Sequence, residues 1–306
     1  MDQAEFRTFC LSGSNERSCM ELFQRARWPD GFRCPQCGGS NACVIRTRRL
    51  PLFECKSCGT QTSLTAGTIL EGSRTPVRLW LLALSLHAAP SGISAVRLSS
   101  IIGTTYKTAW LICHKIRHAM SQADQKELLS GLVRINFAQY GRPYNPTVFR
   151  HPQEQPLLIG ATMSAQGDFT YIKIKQAIEE CSYPHFTCPL NKHPFLEKHV
   201  SPEAVEVIAV TLKYSKDRNI RLIQLCQKAS TWINYTFNGI GPKHLQAYMD
   251  QFCFQYNLVA QERPPFDTLL NISASASVIT YPELIRKPNI QPRLRDQYTS
   301  LLREAC

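Results

Sequence analysis

The sequence predicts a multidomain α/β protein, and three patterns along the chain carry that prediction. Two C-x2-C cysteine pairs lie early in the chain, with 17 residues between them. A segment with helical periodicity, interrupted by glycines, follows at about residues 75–120. The second half has strands first and helices later, which is typical of a mixed α/β domain. At 306 residues the chain is long enough for two or three such domains.

The two cysteine pairs predict a zinc ribbon with one structural zinc ion. Zinc takes four soft ligands in a tetrahedron, and each C-x2-C turn places two thiolates on one side of the ion. The predicted ligands are Cys34, Cys37, Cys55 and Cys58. Gly38 and Gly59 follow the pairs and permit the tight turns. The alternative, two redox C-x-x-C motifs, lacks the βαβ setting of a thioredoxin.

An arginine-rich loop lies between the two short strands expected inside the ribbon. Its candidate phosphate-contacting residues are Arg46, Arg48 and Arg49. A solvated charged loop is the alternative, because many ribbons are purely structural or dock proteins.

Three helices are predicted after the ribbon, at about residues 75–89, 93–101 and 105–120. The second and third are joined by a turn containing Gly103, which is the helix-turn-helix pattern, with the basic residues on the later helix. The apolar residues of this later helix form one face, and its basic and histidine side chains lie largely on the other faces. These side chains are therefore candidate DNA contacts. They are Lys107, His114, Lys115 and Arg117.

The positive charge of the chain is concentrated in this ribbon and helical region. The formal net charge is +12, and residues 31–123 contain eleven Lys or Arg but only two acids. Such a density favours a polyanionic partner, usually nucleic acid. The longest apolar stretch, residues 79–89, is too short to span a membrane. The first residues lack a signal-peptide pattern, so we expect the 13 cysteines in a reducing cytoplasm.

The second half of the sequence predicts strands first and helices later. Alternation predicts strands at 131–140 and 205–211, and a hairpin formed by 157–163 and 169–175. Helices are expected at about 224–235 and 242–257.

Several runs of residues form a recognisable set together with the cysteine pairs. They are residues 27–32 (RWPDGF), 61–69 (QTSLTAGTI), 92–95 (GISA), 106–110 (YKTAW), 114–117 (HKIR), 243–248 (KHLQAY) and 252–257 (FCFQYN). In sequence and in order, these runs resemble the ISXO-type insertion-sequence transposases. The resemblance implies an N-terminal zinc ribbon, a helical DNA-binding segment and an RNase H-like domain. In the family, that last domain cuts DNA at transposon ends and joins the freed 3′-hydroxyl to a target.

The family's chemistry uses two divalent ions held by carboxylates, and this chain departs from the pattern at all three ligand positions. The first family Asp is replaced by Asn136, with Arg134 two residues before it. Counting from neighbouring family motifs places the second and third positions at Ala209 and Ile223. A methyl group cannot hold a metal ion, and Arg134 would repel one. Loss of phosphoryl transfer is therefore expected.

Two further possibilities concern metals. A shifted register with Glu206 or Asp217 as the second ligand would leave an active enzyme that binds Mg²⁺ or Mn²⁺. A second zinc site could be formed by Cys181, His185, Cys188 and His193. Its spacing is irregular and prolines interrupt it, so an ordinary loop is favoured.

The predicted domains are a helical lead-in (residues 1–30), the ribbon (31–68), the helix-turn-helix-like segment (69–125), a degenerate RNase H-like domain (126–285) and a polar tail (286–306). The favoured interpretation is a catalytically inactive transposase-family protein that binds zinc and DNA in the cytoplasm, associated with the nucleoid. A homo-oligomer is compatible with the family, and neither a membrane nor a small-molecule substrate is expected. An active transposase and a protein-docking ribbon are the alternatives.

Overall fold

The computed structural model describes residues 3–141, 153–177 and 189–286, which form two compact units. The first unit contains residues 3–126 and 254–280, and the second contains the described residues of 127–253 together with 281–286. Residues 254–280, which the sequence analysis includes in the domain predicted at 126–285, pack in the first unit instead. None of the described helices is long and apolar enough to cross a membrane.

The first unit is mainly helical and includes a small sheet. Its helices are α1 (Gln3–Leu11), α2 (Glu16–Arg27), α3 (Val77–Ala88), α4 (Ala95–Ile102), α5 (Tyr106–Lys126) and, from the later part of the chain, α9 (Pro265–Ser275). Its strands are β1 (Ala42–Ile45), β2 (Leu52–Cys55) and β3 (Gln61–Ser63), paired antiparallel in that order. The three helices and the ribbon strands expected from the sequence are present.

The ribbon sheet is attached to the helical lead-in by three aromatic rings. Phe53 on β2 is buried, and its ring centroid lies 4.7 Å from that of Trp28 and 5.6 Å from that of Phe32. Both partners come from the RWPDGF run that directly follows α2. The run therefore supplies the apolar contact that a small ribbon cannot make within itself.

Helix α3 is the centre of the first unit's core. Nine of its twelve residues are buried. It packs against α1, α2, α5 and α9. A helix that is apolar on all sides must be enclosed by neighbours, and here one of those neighbours comes from residues 265–275.

Helices α4 and α5 follow one another across a short turn, and polar or glycine residues cap their ends. Ser94 Oγ accepts the Arg97 N–H at 3.3 Å and so caps the start of α4. Gly103 ends α4 in the left-handed region, at φ 63°. Thr105 Oγ1 then accepts the Thr108 N–H at 3.3 Å at the start of α5.

The second unit is built around a four-stranded sheet. Its strands are β4 (Leu132–Tyr140), β5 (Gln155–Met163), β6 (Phe169–Gln176) and β7 (Glu206–Val210). The order across the sheet is β6-β5-β4-β7, with β7 parallel to β4 and the other pairs antiparallel. The helices are α6 (His193–His199), α7 (Ile220–Phe237), α10 (Tyr281–Ile285) and the first part of α8 (Pro242–Ala260), which ends in the first unit.

The two faces of this sheet are covered by different helices. One face carries Ile135 and its odd-numbered neighbours on β4, which pack with Phe195 of α6. Gly160 pairs with Ile135 and lies on this face. A Cβ at this position would come within 2.8 Å of the Phe195 ring, so only glycine fits without a shift of its neighbours. The other face of β4 meets α7, where the Tyr140 hydroxyl donates to Asn234 Oδ1 at 2.9 Å. Successive residues of β4 therefore address different helices.

Candidate metal centre and nucleic-acid interface

The four ribbon cysteines converge on one point. Their sulfur atoms all lie within 4.8 Å of one another. The Sγ atoms of Cys34 and Cys58 are 3.6 Å apart, and so are those of Cys37 and Cys55. A tetrahedron with Zn–S bonds of about 2.3 Å has sulfur–sulfur edges of about 3.8 Å. The cluster therefore fits a zinc ion, and no other group of three or more candidate ligands occurs among the residues described.

Glycines and a threonine shape the ribbon turns around this cluster. Gly38 and Gly59 have φ values of 72° and 70°, in the region that favours glycine. A Cβ on Gly39 would lie 3.3 Å from Cys55 Sγ, so a side chain there would crowd the ligands. Hydrogen bonding by the hydroxyl and backbone of Thr60 lowers the pKa of Cys58 to about 6, which favours the thiolate that binds metal.

The arginine-rich ribbon loop lies between β1 and β2 and is open to solvent. Arg46, Arg48 and Arg49 are all exposed. Arg49 also donates from Nη2 to Ser73 O at 3.0 Å, which ties the loop to the segment before α3. The loop thus presents cationic groups on a surface anchored by the metal centre.

The expected basic face of α5 is largely absent. Lys107, in the first turn, is exposed, but His114, Lys115 and Arg117 are buried, with relative exposures of 3%, 6% and 1%. The expectation that these three side chains lie on an open face is wrong, because α5 is enclosed by α3, α4 and α9.

Specific contacts hold two of these side chains inside the first unit. The His114 ring lies 4.0 Å from the Trp110 ring, centroid to centroid. Lys115 Nζ donates to Glu71 O at 3.0 Å, and burial lowers the pKa of Lys115. The sequence analysis did not identify Arg97, an exposed arginine in the first turn of α4. Its place three residues after the capping Ser94 could have indicated a position at the start of a helix.

In the second unit, Asn136 serves as a structural contact. Its side chain is 1% exposed, and Oδ1 accepts the backbone N–H of Asn219 at 2.9 Å. Asn219 in turn caps α7 by accepting the Leu222 N–H at 3.2 Å. Asn136 therefore joins the middle of β4 to the start of α7.

The register of β4 and β7 changes which residue stands opposite Asn136. Ala209 pairs with Ile135, so it lies on the α6 face, whereas Asn136 faces α7. Val210 is level with Asn136 on the same face. Ala209 and Asn136 therefore lie on opposite faces of the sheet, since strand side chains alternate between faces.

Among the described residues, Ile223, Glu206 and Asp217 do not complete a ligand set around Asn136. Ile223 lies in the first turn of α7 and offers no ligand atom. Glu206 shares the face of Asn136 but is level with Leu132, four residues or about 13 Å along the strand. Asp217 is exposed in the loop before α7.

The possible second zinc site lies mostly outside the described residues. Cys181, His185 and Cys188 are among those not described. His193 is described and is an exposed residue at the start of α6.

Comparison with known proteins identifies the N-terminal part of the chain. Residues 14–61 match the family of transposase zinc-ribbon domains. The chain is also 30% identical over 125 residues to the uncharacterized protein in transposable element ISH50 of Halobacterium salinarum. That match covers 40% of this chain and 41% of the relative, so the chain spans well under two thirds of the relative's length. No solved structure matches the chain.

Proposed function

Because this chain resembles insertion-sequence transposases and carries their zinc ribbon, we propose that it binds DNA through its zinc-dependent first unit and has lost strand-transfer chemistry. The observation that carries the second half of this proposal is the hydrogen bond from Asn219 N–H to Asn136 Oδ1. The first half rests on the exposed cations around the zinc centre.

Three surface features support DNA binding by the first unit. The ribbon loop exposes three arginines, α4 exposes Arg97, and α5 exposes Lys107 in its first turn. Residues at the start of the second helix of a helix-turn-helix are those that enter the major groove. Lysine and arginine at such positions neutralise phosphates and release counterions, which makes binding strongly salt-dependent.

The sheet of the second unit supports an RNase H-like origin. Three antiparallel strands are followed by a strand parallel to the first, reached through a connection that contains α6. This arrangement suits the domain implied by the family resemblance. At its centre, however, β4 and β7 bring together an amide and a valine, at Asn136 and Val210. Two hard cations require carboxylates there.

A nicking assay tests the loss of chemistry. The purified protein is incubated with supercoiled DNA that carries its own gene and long flanks, in the presence of Mg²⁺ or Mn²⁺. We expect the DNA to be bound and left intact. Specific nicks near the borders of the gene would show a working site and would overturn this part of the proposal.

DNA binding is tested separately by the salt dependence of affinity. Replacing Arg46 and Arg48 together by glutamine should lower affinity and reduce the slope of log K against log salt by about 2, since each phosphate contact contributes about 0.9. Arg263→Gln, at an exposed site after α8, is the matched control. Equal affinities for both variants would remove the ribbon loop from the interface.

The cellular setting follows from the same proposal. A DNA-binding protein of this kind acts in the cytoplasm on the nucleoid, as a homo-oligomer if it still pairs DNA ends. Zinc is its structural cofactor, and Mg²⁺ or Mn²⁺ has no role once the carboxylates are lost.

A further inference from the structure

The residues around Asn136 do not fit a divalent cation, and their charge is inverted. Val210 is its neighbour on β7, and Arg134 lies two residues away on the same face of β4. The loop from residue 211 to Asn219, which joins β7 to α7, contains two lysines and an arginine against one acid. A metal ion would meet cations here where the chemistry requires carboxylates.

We propose that this loop, with exposed Lys216 and Arg218, binds the DNA phosphate backbone directly and without metal. The proposal deepens the proposed function, since it adds a DNA contact in the second unit to those of the first. A phosphodiester is a singly charged anion with two free oxygens, and guanidinium and ammonium groups bind it through charge-assisted hydrogen bonds.

The backbone of the loop is held in one conformation by its own arginine. Arg218 donates from Nε to Ser215 O at 2.9 Å and from Nη1 to Lys213 O at 2.7 Å. The Asp217 N–H is bonded to Ser215 Oγ at 3.2 Å. At its end, Asn219 is bonded to Asn136. A loop fixed at these points loses little conformational entropy on binding.

Not every cation near the loop is available to a ligand. Lys213 is largely buried, and its Nζ lies 3.5 Å from Glu154 Oε2. Arg221, in the first turn of α7, is paired with Asp168 of the β5–β6 turn at 3.1 Å. Lys216 is exposed, and so is Arg218, whose Nε and Nη1 are already bonded within the loop and which therefore offers a phosphate only its remaining N–H groups. Asp217 lies between them as the loop's acidic residue. The start of α7 adds the positive end of an 18-residue helix at the same place.

Fluorescence anisotropy with a labelled duplex from the ends of its own gene tests the proposal, using the full-length zinc-loaded protein. Lys216→Glu should weaken binding about fivefold or more and lower the salt slope by about 1. Asp217→Asn should strengthen binding, because it removes a like charge to the phosphate. Addition of Mg²⁺ should not increase the DNA affinity of either variant.

The matched control is Lys198→Glu, an equally exposed lysine on α6, which covers the opposite face of the sheet. Thermal melting of all three variants identifies any that fail to fold. If Lys216→Glu binds DNA as Lys198→Glu does, the loop is not a contact and the proposal is overturned. In that case the ribbon arginine variants still decide the proposed function, so the two proposals can fail separately.

Discussion

The backbone N–H of Gln176 donates to Gln246 Oε1 at 2.7 Å, and Gln246 Nε2 donates to Ile174 O at 2.9 Å. Both backbone groups belong to β6, one of the two edge strands of the second unit's sheet. One side-chain amide from α8 thus occupies the place of a further strand. An unpaired edge is a template for association with other chains, and this contact blunts it.

Replacing Gln246 by alanine should weaken the second unit and expose that edge. The loss of these partly buried hydrogen bonds should lower the free energy of unfolding by about 1–3 kcal/mol. Urea denaturation measures this change, and light scattering at increasing concentration detects association. Gln227→Ala, at an exposed site on α7, should leave both unchanged. The same urea midpoint for both variants would show that the edge contact contributes nothing.

Zinc content should depend on the ribbon ligands and not on cysteine number. Cys55→Ala should lower bound zinc from one ion per chain to none and disorder the ribbon, because the ion replaces a core that this segment lacks. Cys43→Ala, which changes an exposed cysteine on β1 outside the cluster, should retain one ion. Metal analysis and circular dichroism of the two variants give the comparison. Full zinc in Cys55→Ala would refute the four-cysteine site.

Lys115 should contribute to stability and not to DNA contact. Lys115→Met removes the donor to Glu71 O and leaves that carbonyl unsatisfied, at a cost of about 1–3 kcal/mol. Its DNA affinity, measured below the melting temperature, should equal that of the unmodified protein. Lys107→Gln on the same helix should leave the free energy of unfolding unchanged and weaken DNA binding, because Lys107 is exposed. A Lys115 variant with normal stability and weak DNA binding would contradict this division.

His87 should make the first unit less stable in mild acid. Its ring is fully buried, with Nδ1 2.8 Å from Ala83 O, and burial, with the nearby Arg117 charge, lowers its pKa to about 3. The unfolded chain binds a proton below about pH 6.5, whereas the folded chain does not until about pH 3. The free energy of unfolding should therefore fall by up to about 1.4 kcal/mol per pH unit within that window.

The variant His87→Leu isolates this effect from the loss of zinc in acid. Its unfolding free energy should fall less steeply than that of the unmodified protein between about pH 7 and pH 5, because it has no such group to protonate. Urea denaturation at each pH supplies both slopes. Parallel slopes would show that His87 takes up no proton on unfolding, so that burial does not lower its pKa.

The ribbon was predictable from the sequence because its chemistry is local. Two short turns fix four ligands, and the spacing of Cys34, Cys37, Cys55 and Cys58 determines the geometry. The four sheet strands of the second unit and the helices α7 and α8 were also predictable, from alternation and from helical periodicity, whereas the short helices α6 and α10 were not predicted.

The burial of Lys115 and Arg117 was not predictable in the same way. A helix with one apolar stripe normally exposes its other faces, but α9, from more than 130 residues later, covers a second side of α5. Which residue of β7 lies level with Asn136 was not predictable from the sequence either. Counting along the chain from other motifs does not fix the strand register, and a shift of one residue changes the face.

Because α8 begins in the second unit and ends in the first, the first unit needs residues from late in the chain. Residues 254–280 supply Leu269, Leu270 and part of α8 to the core of the first unit. A stop codon anywhere before this stretch would therefore leave the ribbon and helices α3 to α5 without a complete core, so a shortened reading frame would not yield a stable first unit. Substitutions confined to β4 and β7 of the second unit, in contrast, leave this core unchanged.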